Sequence, residues 1–231
     1  MNKLLILLII ISTSCSTLPK GTGNSISEGT VSNGQLKNGR RFPYKGKNFK
    51  YFSPFSFAIF NRAWVHAKVL DITLEVYKEF EESCPNIKFL IMECSKRKGG
   101  RMWPHRTHQN GTSIDFGTPL LKKEKPYNFH HSYGVFHYTM KFDENGVLKG
   151  NKNIKIDFET MAKHILALEK AARKRKMYIK KVIFKIDLKD NFFRTESGKL
   201  VKKKKIYFAR KLPKVIDNVH DDHYHIDFGY L

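Results

Sequence analysis

Acidic side chains are scarce in this sequence. Asp and Glu together number 21 against 43 Lys and Arg in 231 residues, so the formal net charge is +22 at pH 7. Such a balance is typical of proteins that meet polyanions. Three interpretations are open: a nucleic-acid partner, an anionic envelope polymer or lipid headgroup, and a solvated lysine-rich surface with no specific partner.

Long hydrophobic runs are missing as well. The run Leu4–Ile11 has eight residues, whereas a membrane-spanning helix needs ~20, and no later run is long enough. A cation at Lys3, this short run and the small residues after it are the parts of an export signal. We therefore expect the protein on the periplasmic side of the cell envelope, where no nucleic acid is expected as a partner.

The end of this signal resembles the bacterial lipoprotein lipobox, in which a Cys after small residues is acylated and becomes the new N-terminus. Cys15 stands at that position, although Ser12 replaces the usual Leu. We expect lipidation of Cys15 and a membrane anchor. Ordinary cleavage nearby, or an uncleaved anchor, are the alternatives.

Cysteine is nearly absent from the rest of the chain, which retains only Cys84 and Cys94. Residues 87–93 between them are predicted to form a buried strand that spans roughly 23 Å at ~3.3 Å per residue. Bridged Cα atoms lie ~4.4–6.8 Å apart. The sequence therefore predicts two free, buried thiols.

The composition supports one sizeable core, with 41% hydrophobic residues and 18 Phe, and the length is too short for two comfortable domains. Residues 1–15 are assigned to the lipoprotein-type signal. Residues 16–39 are rich in Ser, Gly, Asn and Thr and are predicted to be a flexible tether. Aromatic residues become dense after Pro43, so the folded domain is placed at residues 40–231.

Apolar residues recur at helical spacing in two segments. The first runs from Val65 to Phe80 and stops before Pro85; the second runs from Phe158 to Ala172, with Asp157 as a cap. Strands are predicted at 87–93, 181–188, 207–210 and 224–228, and a hairpin turn at 145–146. The sum is a single α+β domain in which helices flank a small mixed or antiparallel sheet.

Half of the ten histidines lie in two short clusters, residues 99–115 and 220–227. His223 and His225 point the same way if they lie on a strand, because side chains alternate between faces. One imidazole can then bind a metal while the other carries a proton. His108 and Asp115 are separated by a turn at Gly111 that lets both converge.

Two neutral imidazoles, one carboxylate and a water form a tetrahedral catalytic zinc site with one open position. Each cluster alone is weak support, since a His-x-His pair is common on strands and residues 105–108 can be a structured loop. Their co-occurrence with an Asp favours the zinc site. The sequence lacks the His-Glu-x-x-His motif of commoner zinc peptidases, so a histidine has to replace its glutamate base.

These residues resemble the penicillin-insensitive murein endopeptidases, zinc peptidases related to lysostaphin, the D-Ala-D-Ala peptidases and the hedgehog domain. The shared signature is a His, six residues, an Asp and a distant His-x-His, here His108, Asp115 and His223-Tyr224-His225. The lead-in of the endopeptidase branch matches Gly99–Gly111, with Thr107 in place of Ser. The resemblance covers roughly residues 31–231.

By that resemblance, His108, Asp115 and His225 are the zinc ligands and the site is expected at the edge of the sheet. His223 is the catalytic companion. His105 matches a family histidine beside the site, which assists catalysis or holds an additional metal. One position departs from the pattern: the family often has an acidic residue two before the ligand Asp, and Ser113 stands there. This difference weakens the expectation of a second metal.

The resemblance implies hydrolysis of the peptidoglycan cross-link between D-alanine and the diamino acid of the neighbouring strand. Arg101 and Arg106 would bind the carboxylates of that substrate, or are simply solvated. The alternatives are a D,D-carboxypeptidase of the same superfamily, a non-catalytic zinc- or glycan-binding envelope lipoprotein, and a metal-dependent nuclease.

Overall fold

A five-stranded sheet lies at the centre of the fold. The computed structural model describes residues 23–231, so the predicted signal, Cys15 and residues 16–22 lie outside the described residues. The strands are β1 Ile26–Thr30, β2 Asn33–Lys37, β3 Arg40–Arg41, β4 Phe49–Tyr51, β5 Trp64–Val65, β6 Phe89–Ile91, β7 Ser113–Gly117, β8 Leu120–Lys122, β9 Lys125–Pro126, β10 Ile154–Ile156, β11 Met177–Ile183 and β12 His223–Tyr230. The α-helices are α1 Ala67–Ser83, α2 Phe158–Lys174, α3 Lys189–Arg194, α4 Glu196–Lys203 and α5 Lys214–Asp217.

The central sheet has the strand order β11-β12-β7-β6-β4 and is mixed, because β4 and β6 pair in parallel while the other neighbours are antiparallel. Strands β7 and β12 are interior strands, and their side chains alternate between two chemically different faces. One face is apolar and belongs to the core: Ile114, Phe116, Tyr224, Ile226 and Phe228. The other face is polar and equally buried: Ser113, Asp115, His223, His225 and Asp227.

Helices α1 and α2 pack against each other, and α2 also packs against β11. The Asp157 side chain accepts a hydrogen bond of 2.9 Å from the backbone N–H of Thr160 and so caps α2. Both predicted helices are confirmed, as is the single α+β domain with a mixed sheet. Within the part of the chain that the structure describes, none of the helices has the length and apolarity needed to cross a bilayer.

The segment predicted as a flexible tether contains a β-hairpin instead. Strands β1 and β2 pair in antiparallel register from Ile26↔Lys37 to Thr30↔Asn33, so the tether prediction is wrong for these residues. The hairpin is stabilised by backbone contacts to a distant loop: Leu36 N–H donates to Lys98 O (3.0 Å) and Gln109 N–H donates to Val31 O (3.0 Å). The polar composition of the hairpin gave no sign of this contact, because backbone hydrogen bonds need no apolar side chains.

Other differences concern short segments. The strand predicted at 181–188 begins earlier, at Met177, and ends at Ile183 before a 3-10 turn. The predicted strand at 207–210 contributes an isolated bridge between Phe208 and Val182. The turn at 145–146 is present, but an isolated bridge closes it rather than a pair of long strands. Both Cys84 and Cys94 are free, as predicted, although only Cys94 is fully buried.

Candidate metal centre

The register between β7 and β12 places Asp115 directly opposite His225. Both side chains are on the polar face and buried, and the Nδ1 atom of His225 lies 2.7 Å from Oδ1 of Asp115. The site therefore lies on the face of two interior strands, not at the sheet edge as expected. Interior strands are held on both sides by their neighbours, so these two positions are fixed by the ladder of backbone hydrogen bonds.

The loop before β7 brings His108 to the same point. His108 itself has a positive φ of 65°, and Gly111 follows with φ 77°. Glycine adopts this region without strain, and at Gly111 an added Cβ would also lie 2.7 Å from a methyl group of Leu36. The resulting bend carries Nε2 of His108 to 3.1 Å from Oδ2 of Asp115. The predicted turn between these two residues is thus observed.

The β1–β2 hairpin supports this loop from behind. Gly100 N–H donates to Gly34 O (3.1 Å), and the side chain of Ser27 donates to Asn110 O (2.7 Å). At Gly99, whose φ is 71°, a Cβ would lie 2.1 Å from the carbonyl oxygen of Gln109. The same Cβ would lie 2.6 Å from the backbone nitrogen of Leu36, so glycine at position 99 allows the loop to close tightly against the hairpin.

Three histidines lie around Asp115, which makes four potential ligands. One ligand atom from each of His105, His108 and Asp115 can be chosen so that all three lie within 4.8 Å of one another. The ring of His225 stands perpendicular to the ring of His108, with 4.7 Å between the ring centroids. The structure thus gathers the three predicted ligands and also places His105 beside them. His225 is not part of the group whose ligand atoms lie within 4.8 Å of one another, although its Nδ1 contacts the same carboxylate of Asp115.

The ionisable groups of this cluster shift one another's pKa values. Burial alone would raise the pKa of the Asp115 carboxyl, but interactions with His108 and His225 hold it well below its ordinary value. Burial opposes the charge on His225, yet Asp227 and Asp115 together raise its pKa to about 10. Burial, with the neighbouring His108, lowers the pKa of His105 to about 3. A metal bound at Nδ1 of His225 would replace the proton directed toward Asp115, while Nε2 keeps the proton directed toward Asp227.

The donor set fits a divalent metal of the zinc type. It offers imidazole nitrogens and a carboxylate, the ligands of catalytic zinc sites. His108 Nδ1 is buried and has no hydrogen-bond partner within residues 23–231, and His105 is held neutral by its surroundings. A buried cluster of this kind is costly unless something satisfies its polar atoms.

A second set of contacts surrounds His223. Its Nδ1 atom lies 2.8 Å from Oδ1 of Asp222, and the other oxygen of Asp222 lies 2.8 Å from Nδ1 of His137. Burial alone would lower the pKa of His223, but the charge and hydrogen bond of Asp222 raise it. His220 packs against His223 at 4.7 Å between ring centroids, and its own pKa is lowered to about 3 by burial and by His223.

The remaining predicted residues are two arginines. Arg101 and Arg106 are exposed on the loop that carries His105. Three buried groups near the site were not predicted: Asp222, Asp227 and Glu93. Burial raises the pKa of Glu93 to about 7, opposed by Arg62 and by its hydrogen bonds with Ser56. Only Asp222 and Asp227 had a visible signal, since they flank the histidines of the second cluster.

Tyr138 lies next to His223. Its ring meets that of His223 edge to face at 5.7 Å, and its hydroxyl is buried without a hydrogen-bond partner among the described residues. Burial and the carboxylates of Glu93, Asp115 and Asp222 raise its pKa, so the phenol stays protonated. A protonated phenol is a hydrogen-bond donor.

Comparison with known families gives one clear match. The sequence profile of the penicillin-insensitive murein endopeptidases matches residues 27–229, which is nearly all of the described chain and includes both histidine clusters. A comparison with curated proteins gives no match. The matched range begins within β1, so the hairpin that supports the His108 loop is part of the family domain. The chain belongs to the penicillin-insensitive murein endopeptidase family of peptidases.

Proposed function

We propose that this protein is a zinc-dependent endopeptidase of the cell envelope that hydrolyses the peptide bond between D-alanine and the diamino acid in peptidoglycan cross-links. Membership of the murein endopeptidase family supports the reaction and the polymer. The observation that carries the metal assignment is the position of Asp115, whose two oxygens contact His108 and His225 separately. His108, Asp115 and His225 are the proposed ligands.

Zinc held by these residues would acidify a water toward a pKa of ~7 and polarise the scissile carbonyl. The residues of the chain supply the proton transfer. His223 is beside the cluster but is paired with Asp222, which accepts the hydrogen bond from its Nδ1. Nε2 of His223 is then the atom that takes a proton from the attacking water and returns it to the leaving amine.

Two further groups are placed to assist. Tyr138 has a protonated hydroxyl near His223 and can donate to the carbonyl oxygen as it gains charge. His105, neutral and half-buried beside His108, is proposed to assist catalysis or to bind an additional metal. Arg101 and Arg106, exposed on the same loop, are the proposed contacts for the carboxylates of the stem peptide.

The test is digestion of intact peptidoglycan sacculi by the purified protein, with separation of the released fragments. We expect cross-linked dimers to be converted to monomers, activity to stop with a chelator and to return with added zinc, and penicillin to have no effect. Asp115→Ala, which loses the shared carboxylate, is the inactive control.

The products separate the competing functions. Release of terminal D-alanine from a monomer pentapeptide, with the dimer left intact, would identify a D,D-carboxypeptidase instead. Binding to sacculi without any released product would indicate a non-catalytic envelope protein. Full activity of the chelator-treated protein would contradict the metal assignment.

A further inference from the structure

Ser113 is the position at which this sequence departs from the family pattern, and the structure shows what surrounds it. Ser113 lies two residues before Asp115 on β7, and the register pairs it with Asp227 on β12. Ser113, Asp115, His225 and Asp227 therefore form a block of four side chains on the same face of two adjacent strands. All four are buried, with exposed fractions of 0–2%.

Asp227 occupies the side of His225 that faces away from Asp115. Its Oδ1 atom lies 2.6 Å from Nε2 of His225, while Nδ1 of the same ring lies 2.7 Å from Asp115. A carboxylate only accepts hydrogen bonds, so Nε2 is the donor. Once the proton on Nδ1 leaves, the lone pair is on Nδ1, the atom that contacts Asp115.

Asp227 is itself held on two sides. The hydroxyl of Ser113 donates to Oδ1 of Asp227 over 2.6 Å, and the ammonium of Lys181 on β11 lies 2.9 Å from Oδ2. Three strands thus contribute to fixing one carboxylate. A metal-bound histidine usually donates its second N–H to such a carboxylate, which sets the tautomer and the orientation of the ring.

We propose that Asp227 is the positioning residue for His225, and that β12 supplies from position 227 the carboxylate that the family pattern carries at position 113. Ser113 then has a defined role, because its hydroxyl holds Asp227 in place. The inference rests on the proposed role of His225 as a ligand. It assigns to Asp227 an effect on metal affinity that does not depend on the substrate or on the bond cleaved.

The experiment measures zinc affinity of the purified protein by competition with a chromophoric chelator. We expect Asp227→Ala to weaken zinc binding ~10–100-fold, the usual effect of removing such a partner, and Ser113→Ala to weaken it less. The double variant Ser113→Asp/Asp227→Ser moves the carboxylate back to β7 and should recover most of the affinity, which a merely structural role would not produce.

Asp222→Asn is the matched control. Asp222 is an equally buried carboxylate that binds a histidine of the same strand, but its partner is His223. It should retain wild-type zinc affinity, and the unfolding temperatures of all metal-free variants show whether each one folds.

Unchanged affinity in Asp227→Ala, or a double variant no better than Asp227→Ala, would overturn the inference while leaving the proposed function intact. Failure of the wild type to bind zinc, or retention of zinc by His225→Ala, would instead refute the proposed ligand set.

Discussion

Each of the two histidines on the last strand contacts its own carboxylate. Asp222 contacts His223 and Asp227 contacts His225, each over 2.6–2.8 Å. The two imidazoles lie on the same face of β12, yet only His225 contacts Asp115. At the scale of single residues, the strand thus presents one histidine suited to binding metal and one suited to moving a proton.

This division predicts opposite outcomes for two alanine variants. His223→Ala should keep bound zinc and lose ~10²–10⁴-fold in turnover, because it removes a general acid–base group and no ligand. His225→Ala should lose most of its zinc. Metal content by elemental analysis and cross-link hydrolysis, measured on the same preparations, check both. Normal turnover in His223→Ala would contradict the assignment.

The spacing of His108 and Asp115 and the pair His223 and His225 predicted the contacts of Asp115 with His108 and His225, and the role of these residues as metal ligands stays a prediction. The sequence did not predict their supporting groups. The contacts of Asp227 with Ser113 and of Asp222 with His137 span 114 and 85 residues. They depend on the register of strands and loops far apart in the chain, which no local pattern specifies.

At the scale of secondary-structure elements, a buried hydrogen bond links α2 to the strand that carries the site. Nδ1 of His164 lies 2.6 Å from the hydroxyl of Tyr224, the residue between the two histidines of β12. His164 stacks on Phe89 at 4.9 Å between ring centroids and is completely buried. Tyr224 points into the core, so the opposite face of β12 is fixed by this contact.

His164 should also make the fold sensitive to acid. Burial lowers its pKa to about 3 from an ordinary value of 6.5, so the unfolded chain binds its proton first as the pH falls. Its contribution to stability is complete above pH 6.5 and is lost between about 6.5 and 3, at ~1.4 kcal/mol per pH unit.

Denaturant unfolding of the metal-free protein at pH 7.5, 6 and 5 measures this effect. His164→Gln should be less stable than wild type at pH 7.5, because a hydrogen bond and stacking are lost. Its stability should fall less steeply with acid than that of wild type, because His164 no longer takes up a proton on unfolding. It should still fall, because the other buried histidines remain. Parallel curves for the two proteins would show that His164 is not the source.

The elements that sequence patterns predicted well are α1 and α2, whose apolar residues recur at helical spacing over four turns or more. The hairpin of β1 and β2 was missed because it has almost no apolar residues; Leu36 is its one deeply buried side chain. Docking through backbone groups leaves no periodic signal. The same cause explains why residues 16–39 have the composition of a tether.

At the scale of the whole molecule, the correction to the tether changes the expected geometry of anchoring. The folded domain begins at the hairpin. If Cys15 carries lipid, the chain from Cys15 to Ile26 separates the anchor from the domain by at most about 36 Å at ~3.3 Å per residue. The domain would then stay near the membrane. The large excess of Lys and Arg is compatible with such a surface, since anionic headgroups attract basic residues.

Anchoring by Cys15 remains a prediction, and fractionation of cells tests it. Wild-type protein should require detergent for release and should incorporate a labelled fatty acid. Cys15→Ala should take up no label and should either be released as soluble protein or keep its signal uncleaved. Absence of label on the wild type would show that residues 1–15 are an ordinary signal or an uncleaved anchor.

The position of the hairpin has a mechanical consequence. Any load that enters the described domain from its N-terminal side reaches Ser25, which contacts His66 at the start of α1, and then β1 and β2, which contact the loop that carries His105 and His108. Pulling on that side is therefore expected to strain the wall of the candidate metal centre. Tension and catalysis therefore act on the same loop, and stretching the enzyme away from its point of attachment is expected to slow it before it unfolds.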